Sequence, residues 1–459
     1  MNRSRSVVLG VVAAIALSIL GSPAALAGPE SNPEPPAFWP LPPEFDDFYN
    51  PSPAAVAAAE PGQILRARRA NLANFSILPL NVDAWQLLYR TNDAHGNAIS
   101  GVTTVLKPRG PAPAGGRKLL SYQVAENSLA HYCAPSYAWQ AGSLPPNLTL
   151  VTQLELLLAM TGVQQGWTVS VPDHEGPNSA YAAGPLAGHT TLDGIRAVEN
   201  FEPAELSGKD TPVGMWGYSG GAIATSWAAE LQPSYAPELR IKGVASGGIP
   251  SDTRELAKVN NGTLFAGLVF AAIIGVSREY PDLAQALASH VNPLGQAIIA
   301  IKKPLCTNLT SVVVPGMNYL GLFDHDPFQD PVLNKVFDDT SLGKAVPTAP
   351  MFLYESVNDQ ITAPWRVDSL VDTYCRDPHA SVNYHRDLVS EHLSLTVTGA
   401  ASALLWLRDR LDGIPAPGGC STETQNTMLT DLGAMDALIG ALGGDFAALL
   451  GNAIGSQTG

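Results

Sequence analysis

The segment Gly217-Tyr218-Ser219-Gly220-Gly221 follows the apolar run Val213-Gly214-Met215-Trp216 and precedes Ala222-Ile223-Ala224-Thr225. The order reads as buried strand, sharp turn and helix, which only a sheet covered by helices can accommodate. Glycines two before and two after the serine let the backbone fold so tightly that Ser219 is held in a strained conformation at the edge of the sheet. An ordinary strand-to-helix turn in a chain rich in Gly and Ser can carry the same letters. It is the strand and the helix on either side that give this serine its meaning.

The rest of the chain supplies that sheet. After Pro61-Gly62, strand-like runs appear at Trp85–Tyr89, Gly101–Leu106 and Leu119–Val124, with Asn97-Ala98 and Gly115-Gly116 in turns. Leu148–Gln165 has a helical apolar pattern, Trp167–Pro172 reads as a buried strand, and Thr190–Phe201 as a helix leading into the strand before Ser219. Beyond it, strands are expected at Ile241–Ser246, Met351–Ser356 and, last, Ser381–His385, followed by a helix over Leu393–Leu411. Strands alternating with helices predict an α/β-hydrolase fold, a mostly parallel sheet with helices on both faces.

Between Ser246 and Met351 lies more chain than one connecting helix needs, with apolar helical stretches at Leu264–Val276 and Leu283–Ile301 and breaks at Pro281, Pro304, Pro315 and Pro327. This predicts an inserted helical cap over the site. The expected organisation is a signal peptide (1–27), a Pro-rich extended strap whose aromatics dock on the body (28–60), a first core part (61–249), the cap (250–347), a second core part (348–420) and a tail or flap (421–459) expected to pack on the cap.

Asn2-Arg3-Ser4-Arg5, the apolar run from Val7 to Leu20 and Ala25-Leu26-Ala27 have the form of a secretory leader cleaved after Ala27. A secreted, extracellular protein follows, and a monomer is expected. Cys133, Cys306, Cys375 and Cys420 have no C-x-x-C spacing, so two disulfides fit an exported chain better than a metal cluster, with three pairings open. A net charge of -15, from 26 Lys and Arg against 41 Asp and Glu, argues against nucleic acid as a partner.

A serine hydroxyl needs an imidazole to take its proton and a carboxylate to orient that imidazole. Of nine histidines, His392 lies between the last expected strand and the helix after it, where this fold places its base. His385 falls inside the strand and His379 in the loop before it. Asp359, just past the strand Met351–Ser356, is the expected acid. Asp368 and Asp372 sit on a following helical stretch, and Glu391 is too close to His392 in sequence to reach its far nitrogen. The oxyanion of the intermediate needs two donors: the N–H of Gly220, the residue after the nucleophile, and a group from the loop after Leu119–Tyr122, for which Asn127 is the candidate. Asp173-His174-Glu175-Gly176 reads as a structural hydrogen-bonded loop near the site rather than a metal site.

Together with the Ser219 turn, Ser121-Tyr122-Gln123, Cys133-Ala134-Pro135-Ser136-Tyr137, Asp173-His174-Glu175-Gly176, Asp193-Gly194-Ile195-Arg196-Ala197, Ser234-Tyr235-Ala236-Pro237-Glu238-Leu239 and Glu391-His392-Leu393 form a set. In these the chain resembles the secretory lipases of the Candida antarctica lipase A type, from about Phe45 to Cys420. The resemblance implies an α/β-hydrolase with a helical cap before the acid-bearing strand, the triad Ser219, Asp359 and His392, and disulfides Cys133–Cys306 and Cys375–Cys420, the second closing the chain around His392. The family often has an aspartate where this chain has Asn127, whose amide donates without first being protonated.

The expected function is therefore hydrolysis of acyl esters, lipid esters above all, at a transient lipid–water interface, without metal or cofactor. Acyl transfer to sugars or alcohols is the alternative on the same site. A non-catalytic lipid-binding protein is a rival of a different class, and a peptidase a third.

Overall fold

The computed structural model describes residues 39–144, 149–430 and 432–454, so the expected signal peptide lies outside the described residues. Among the described residues, ten strands join in one sheet: β1 (Ile64–Arg69), β2 (Asp83–Asn92), β3 (Ala98–Lys107), β4 (Leu119–Gln123), β5 (Thr168–Pro172), β6 (Val213–Tyr218), β7 (Ile241–Gly247), β8 (Met351–Ser356), β9 (Ser381–Asp387) and β10 (Gly419–Gln425). Their spatial order is β1-β2-β3-β5-β4-β6-β7-β8-β9-β10. The pairings β1/β2, β2/β3 and β3/β5 are antiparallel. From β5 to β10 every pairing is parallel.

Because side chains alternate along a strand, each central strand feeds two cores. Met215, Leu119 and Leu353 join one core, against α2 (Gly184–Glu199), α3 (Gly220–Tyr235) and α10 (Pro364–Tyr374). Trp216, Leu120 and Phe352 join the other, against α1 (Leu150–Gln164), α12 (Ala400–Leu411) and α13 (Leu432–Leu449). Each fully buried Leu or Phe contributes about 1.5–3 kcal/mol. Sandwiched this way, the sheet holds the carboxyl ends of β6 and β8 rigidly.

The chain between β7 and β8 carries α4 (Thr253–Val259), α5 (Ala266–Val276), α6 (Pro281–His290), α7 (Pro293–Lys302), α8 (Thr307–Val312) and α9 (Pro331–Thr340). Pro at the first or second position opens α6, α7 and α9, where a missing N–H costs nothing. All of these helices but α8 share a third apolar core with Ile223 and Trp227 of α3. None of the described helices is long and apolar enough to cross a membrane.

Four expectations change. The described part of the Pro-rich segment is not extended but folds into single turns at Pro43–Phe45 and Asp47–Tyr49 and a helix at Pro53–Ala58, with Phe48 and Tyr49 buried and Trp39 and Phe45 exposed. Ser381–His385 is not the last strand, since β10 follows it at the sheet edge. The helix expected over Leu393–Leu411 is two, α11 (His392–Thr398) and α12, divided at Gly399, which packs against the ring of Tyr354. The C-terminal helix α13 packs on α1 and α12 of the core, not on the insertion.

Disulfides join Cys133 to Cys306 and Cys375 to Cys420, with Cα atoms 5.5 and 6.0 Å apart. The first ties the loop after β4 to the insertion. The second ties the end of α10 to β10.

Candidate active site

Ser219 stands between β6 and α3 with φ 53° and ψ -117°, a conformation costly for any residue with a side chain. Its N–H donates to Gly247 O at 2.9 Å. A Cβ at Gly221 would lie 2.0 Å from Gln123 O, and one at Gly217 2.5 Å from Gly221 O, so both glycines are required by contact. The turn is thus locked on three sides.

His392 is the first residue of α11. The Glu391 carboxylate accepts the N–H groups of Leu393 and Ser394, while Ser394 Oγ accepts the Glu391 N–H, so a capping box fixes the backbone under the imidazole. The His392 N–H donates to Gln360 Oε1 at 3.1 Å, and Tyr218 OH donates to His392 O at 2.6 Å. The imidazole then faces both partners: Nε2 lies 2.8 Å from Ser219 Oγ and Nδ1 2.5 Å from Asp359 Oδ2. Residues far apart in the chain meet in the geometry of a proton relay.

Asp359 sits in the turn after β8, where its Oδ1 accepts the N–H groups of Ile361 at 2.8 Å and Thr362 at 2.7 Å. Burial works against its charge, but the charge of His392 and the hydrogen bonds from His392, Glu355 and Ile361 hold the carboxyl below its ordinary value. Glu355 was not singled out by the sequence. Burial, then the charge of Asp359 and the hydrogen bond with it, pushes its carboxyl well above the ordinary range, which favours the neutral form beside Asp359. A glutamate directly after the apolar run Met351–Tyr354, within the same buried strand, was the available signal.

Gly220 opens α3, so its N–H has no acceptor within the helix. Asn127 lies beside it: a Cβ on Gly220 would come 1.8 Å from Asn127 Oδ1. Asn127 is buried with φ 46°, and its Oδ1 has no hydrogen-bond partner. The backbone N–H groups of Asn127 and Ser128 are already directed at the Glu175 carboxyl. What Asn127 offers the site is therefore its side chain, which donates there once the amide is turned so that Nδ2 takes the place of the unpartnered Oδ1.

The loop carrying Asn127 rests on buried acids. Glu155 accepts the N–H of Ala125 and Tyr122 OH, Glu126 accepts the N–H of His174, and Asp173 accepts the N–H and Oγ–H of Ser136. Burial raises Glu155 and Glu175 to about 8 and Asp173 to about 7. It lowers His174 to about 4, so His174 is a neutral donor to Val124 O rather than an ion-pair partner of Glu126. The Asp173–Gly176 stretch is the hydrogen-bonded loop expected from the sequence. The roles of Glu126 and Glu155 were not foreseen.

The rival residues lie elsewhere. His379 is exposed, His385 in β9 packs on Phe352 of β8, Asp368 accepts Tyr384 OH, Asp372 is exposed, and Glu391 caps α11. Over Ser219 opens a narrow apolar pocket walled by the insertion through residues such as Leu256, Leu268, Val269, Leu333 and Phe337. It suits a hydrocarbon chain and offers little to a charged ligand.

The description "Secretory lipase" belongs to the family model that matches residues 142–419. The chain belongs to the secretory lipase family. Lipase A of Arthroderma benhamiae is 39% identical over 429 residues, covering 91% of this chain and 90% of that one. A Mycobacterium tuberculosis protein named a probable inactive lipase is 40% identical over 380 residues, covering 82% and 84%. Among solved structures, Candida antarctica lipase A in its closed state superposes with a TM-score of 0.79 at 29% identity, covering 88% of this chain and 96% of that one. The α/β-hydrolase fold and the secretory lipase membership expected from the sequence both hold, and they place the chain among lipases and esterases.

Proposed function

We propose that this secretory lipase hydrolyses long-chain acyl esters, triacylglycerols among them, through Ser219, His392 and Asp359. Ser219 Oγ attacks the ester carbonyl as His392 Nε2 takes its proton, and Asp359 accepts the Nδ1–H and stabilises the imidazolium. The Gly220 N–H and the Asn127 amide donate to the oxyanion. His392 then protonates the departing alcohol, leaving an acyl group on Ser219 with its chain in the apolar pocket. Water, deprotonated by His392, releases the acid. No metal or cofactor takes part in these steps. The protein acts as an exported monomer, for which its two disulfides are suited.

The observation that carries the reading is the continuous line from Ser219 Oγ to His392 at 2.8 Å and on to Asp359 at 2.5 Å, at the floor of an apolar pocket. One relative named as inactive makes direct measurement the first step. The test is hydrolysis of p-nitrophenyl esters from acetyl to palmitoyl, and of emulsified triacylglycerol, by the purified protein and by Ser219→Ala. Activity that grows with chain length, extends to the emulsion and is lost in the variant supports the proposal. Confinement to short esters removes the lipase reading, and equal activity in both proteins removes Ser219.

A further inference from the structure

Away from Ser219, the insertion gathers two imidazoles and a carboxylate at one point on its surface. His290 ends α6, and the chain leaving it pairs antiparallel with Leu322–Asp324: the Asn292 N–H donates to Leu322 O at 2.8 Å and the Asp324 N–H to His290 O at 2.9 Å. Backbone pairing thus sets the two side chains together. His290 Nδ1 lies 3.2 Å from both carboxylate oxygens of Asp324, and His325 Nδ1 lies 2.6 Å from Oδ1. One ligating atom from each of the three lies within 4.8 Å of the others.

The second nitrogen of His325 is also committed. Its Nε2 faces Asp330 Oδ2 at 3.1 Å, and Asp330 is itself fixed at the start of α9, where Oδ1 accepts the N–H groups of Val332 and Leu333. An imidazole donating through Nε2–H presents a lone pair at Nδ1. Here that lone pair faces a carboxylate oxygen, a contact that needs a shared proton, or a metal ion in its place once the two atoms move apart to about 3.3 Å, the spacing of two ligands on one tetrahedral ion. A carboxylate behind the far nitrogen is the usual means of orienting a metal-binding histidine.

We propose that His290, Asp324 and His325 form a zinc site, with Asp330 as the positioning residue behind His325. Two imidazoles and one carboxylate suit Zn²⁺, whereas Ca²⁺ and Mg²⁺ prefer oxygen ligands throughout. His290 and His325 keep 41% and 36% of their side-chain surface exposed, which gives the ion an entry path and a water for its fourth position. The ion joins the end of α6 to the loop that leads through Asp330 into α9. Leu283 of α6 and Leu333, Val336 and Phe337 of α9 wall the pocket over Ser219, so the site staples two walls of that pocket.

The test uses the untagged full chain, stripped with a chelator and titrated with ZnCl₂ by calorimetry, with thermal denaturation followed in parallel. The expected result is one tight equivalent and a Tm that climbs with free Zn²⁺ by mass action. Both are lost in the His290→Ala/His325→Ala double variant, and Asp330→Asn, which keeps the helix cap, weakens binding by about tenfold or more. Co²⁺ in place of Zn²⁺ should give the visible bands of a four-coordinate site, absent from the double variant. A metal-free Tm equal to that of the parent shows that the double variant is folded, and Asp324→Asn replaces it if that Tm falls. No binding at micromolar Zn²⁺, or equal binding by parent and double variant, as an ion held at His392 would give, overturns the proposal.

Discussion

At Asp359 one carboxylate does two jobs: Oδ1 fixes the turn through Ile361 and Thr362, and Oδ2 meets His392. Asp359→Asn keeps the shape, but its NH2 faces Nδ1, so it neither holds the Nδ1–H tautomer nor stabilises the imidazolium that forms. Its kcat on p-nitrophenyl esters should fall by about 10³–10⁴-fold with KM little changed. Asn127 gives a finer test. Asn127→Ala should lower kcat by about 10²–10³-fold, the effect of removing one oxyanion donor. Asn127→Asp can donate only when protonated, so its pH profile for kcat should move to lower pH, and a profile unchanged from the parent would remove Asn127 from the oxyanion role. Ser219 and Asp359 were legible in the sequence because each follows a strand whose apolar run announces it, and His392 because it stands between the last strand then expected and the helix after it. Glu355, Glu155 and Glu126 were not, because an acid's value here depends on which backbone groups the fold brings to it.

At the scale of elements, the central strands were legible because burial on both faces leaves an unbroken apolar run, as in Met351–Tyr354. β10 carries no such mark. Its side chains from Gly419 to Thr424 are exposed on both faces, so Gly-Cys-Ser-Thr-Glu-Thr reads as loop and only pairing with β9 makes it a strand. The gap at Gly399 was hidden for the opposite reason, since apolar residues continue through it and the ring of Tyr354 sets the break. An edge strand without an apolar face depends on its other anchors. Cys375–Cys420, which closes 45 residues, supplies one. Replacing both cysteines by serine should destabilise the protein by about 4 kcal/mol on the chain-entropy estimate, read as a lower denaturant midpoint. Ester hydrolysis at 25 °C should persist, because Asp359 and His392 are held by the turn after β8 and the capping box of α11. Loss of activity in the folded double variant would mean that β10 also positions His392.

Over the whole molecule, buried acids set how stability responds to pH. Glu155, Glu175 and Glu199 are raised to about 8 and Asp173 and Asp445 to about 7, in each case by burial first. In the unfolded chain such groups release their protons near pH 4. Between the two values the folded state binds more protons, so the stability these groups contribute is complete at low pH and is lost as pH rises through 7 and 8. His131 and His174, lowered to about 4 by burial, act oppositely, but only up to about pH 6.5, where the unfolded imidazole is already neutral. Lys302, lowered to about 8 by burial, adds stability with rising pH only above that value. From about pH 6.5 to 8 the raised acids therefore dominate, and Tm measured by calorimetry at constant ionic strength should fall steadily across that window. Glu155→Gln, neutral at every pH, should flatten the slope. A Tm that held or rose between pH 6.5 and 8 would mean that these acids are ionised in the folded protein, and the loop bearing Asn127 would then rest on charge rather than on neutral hydrogen bonds.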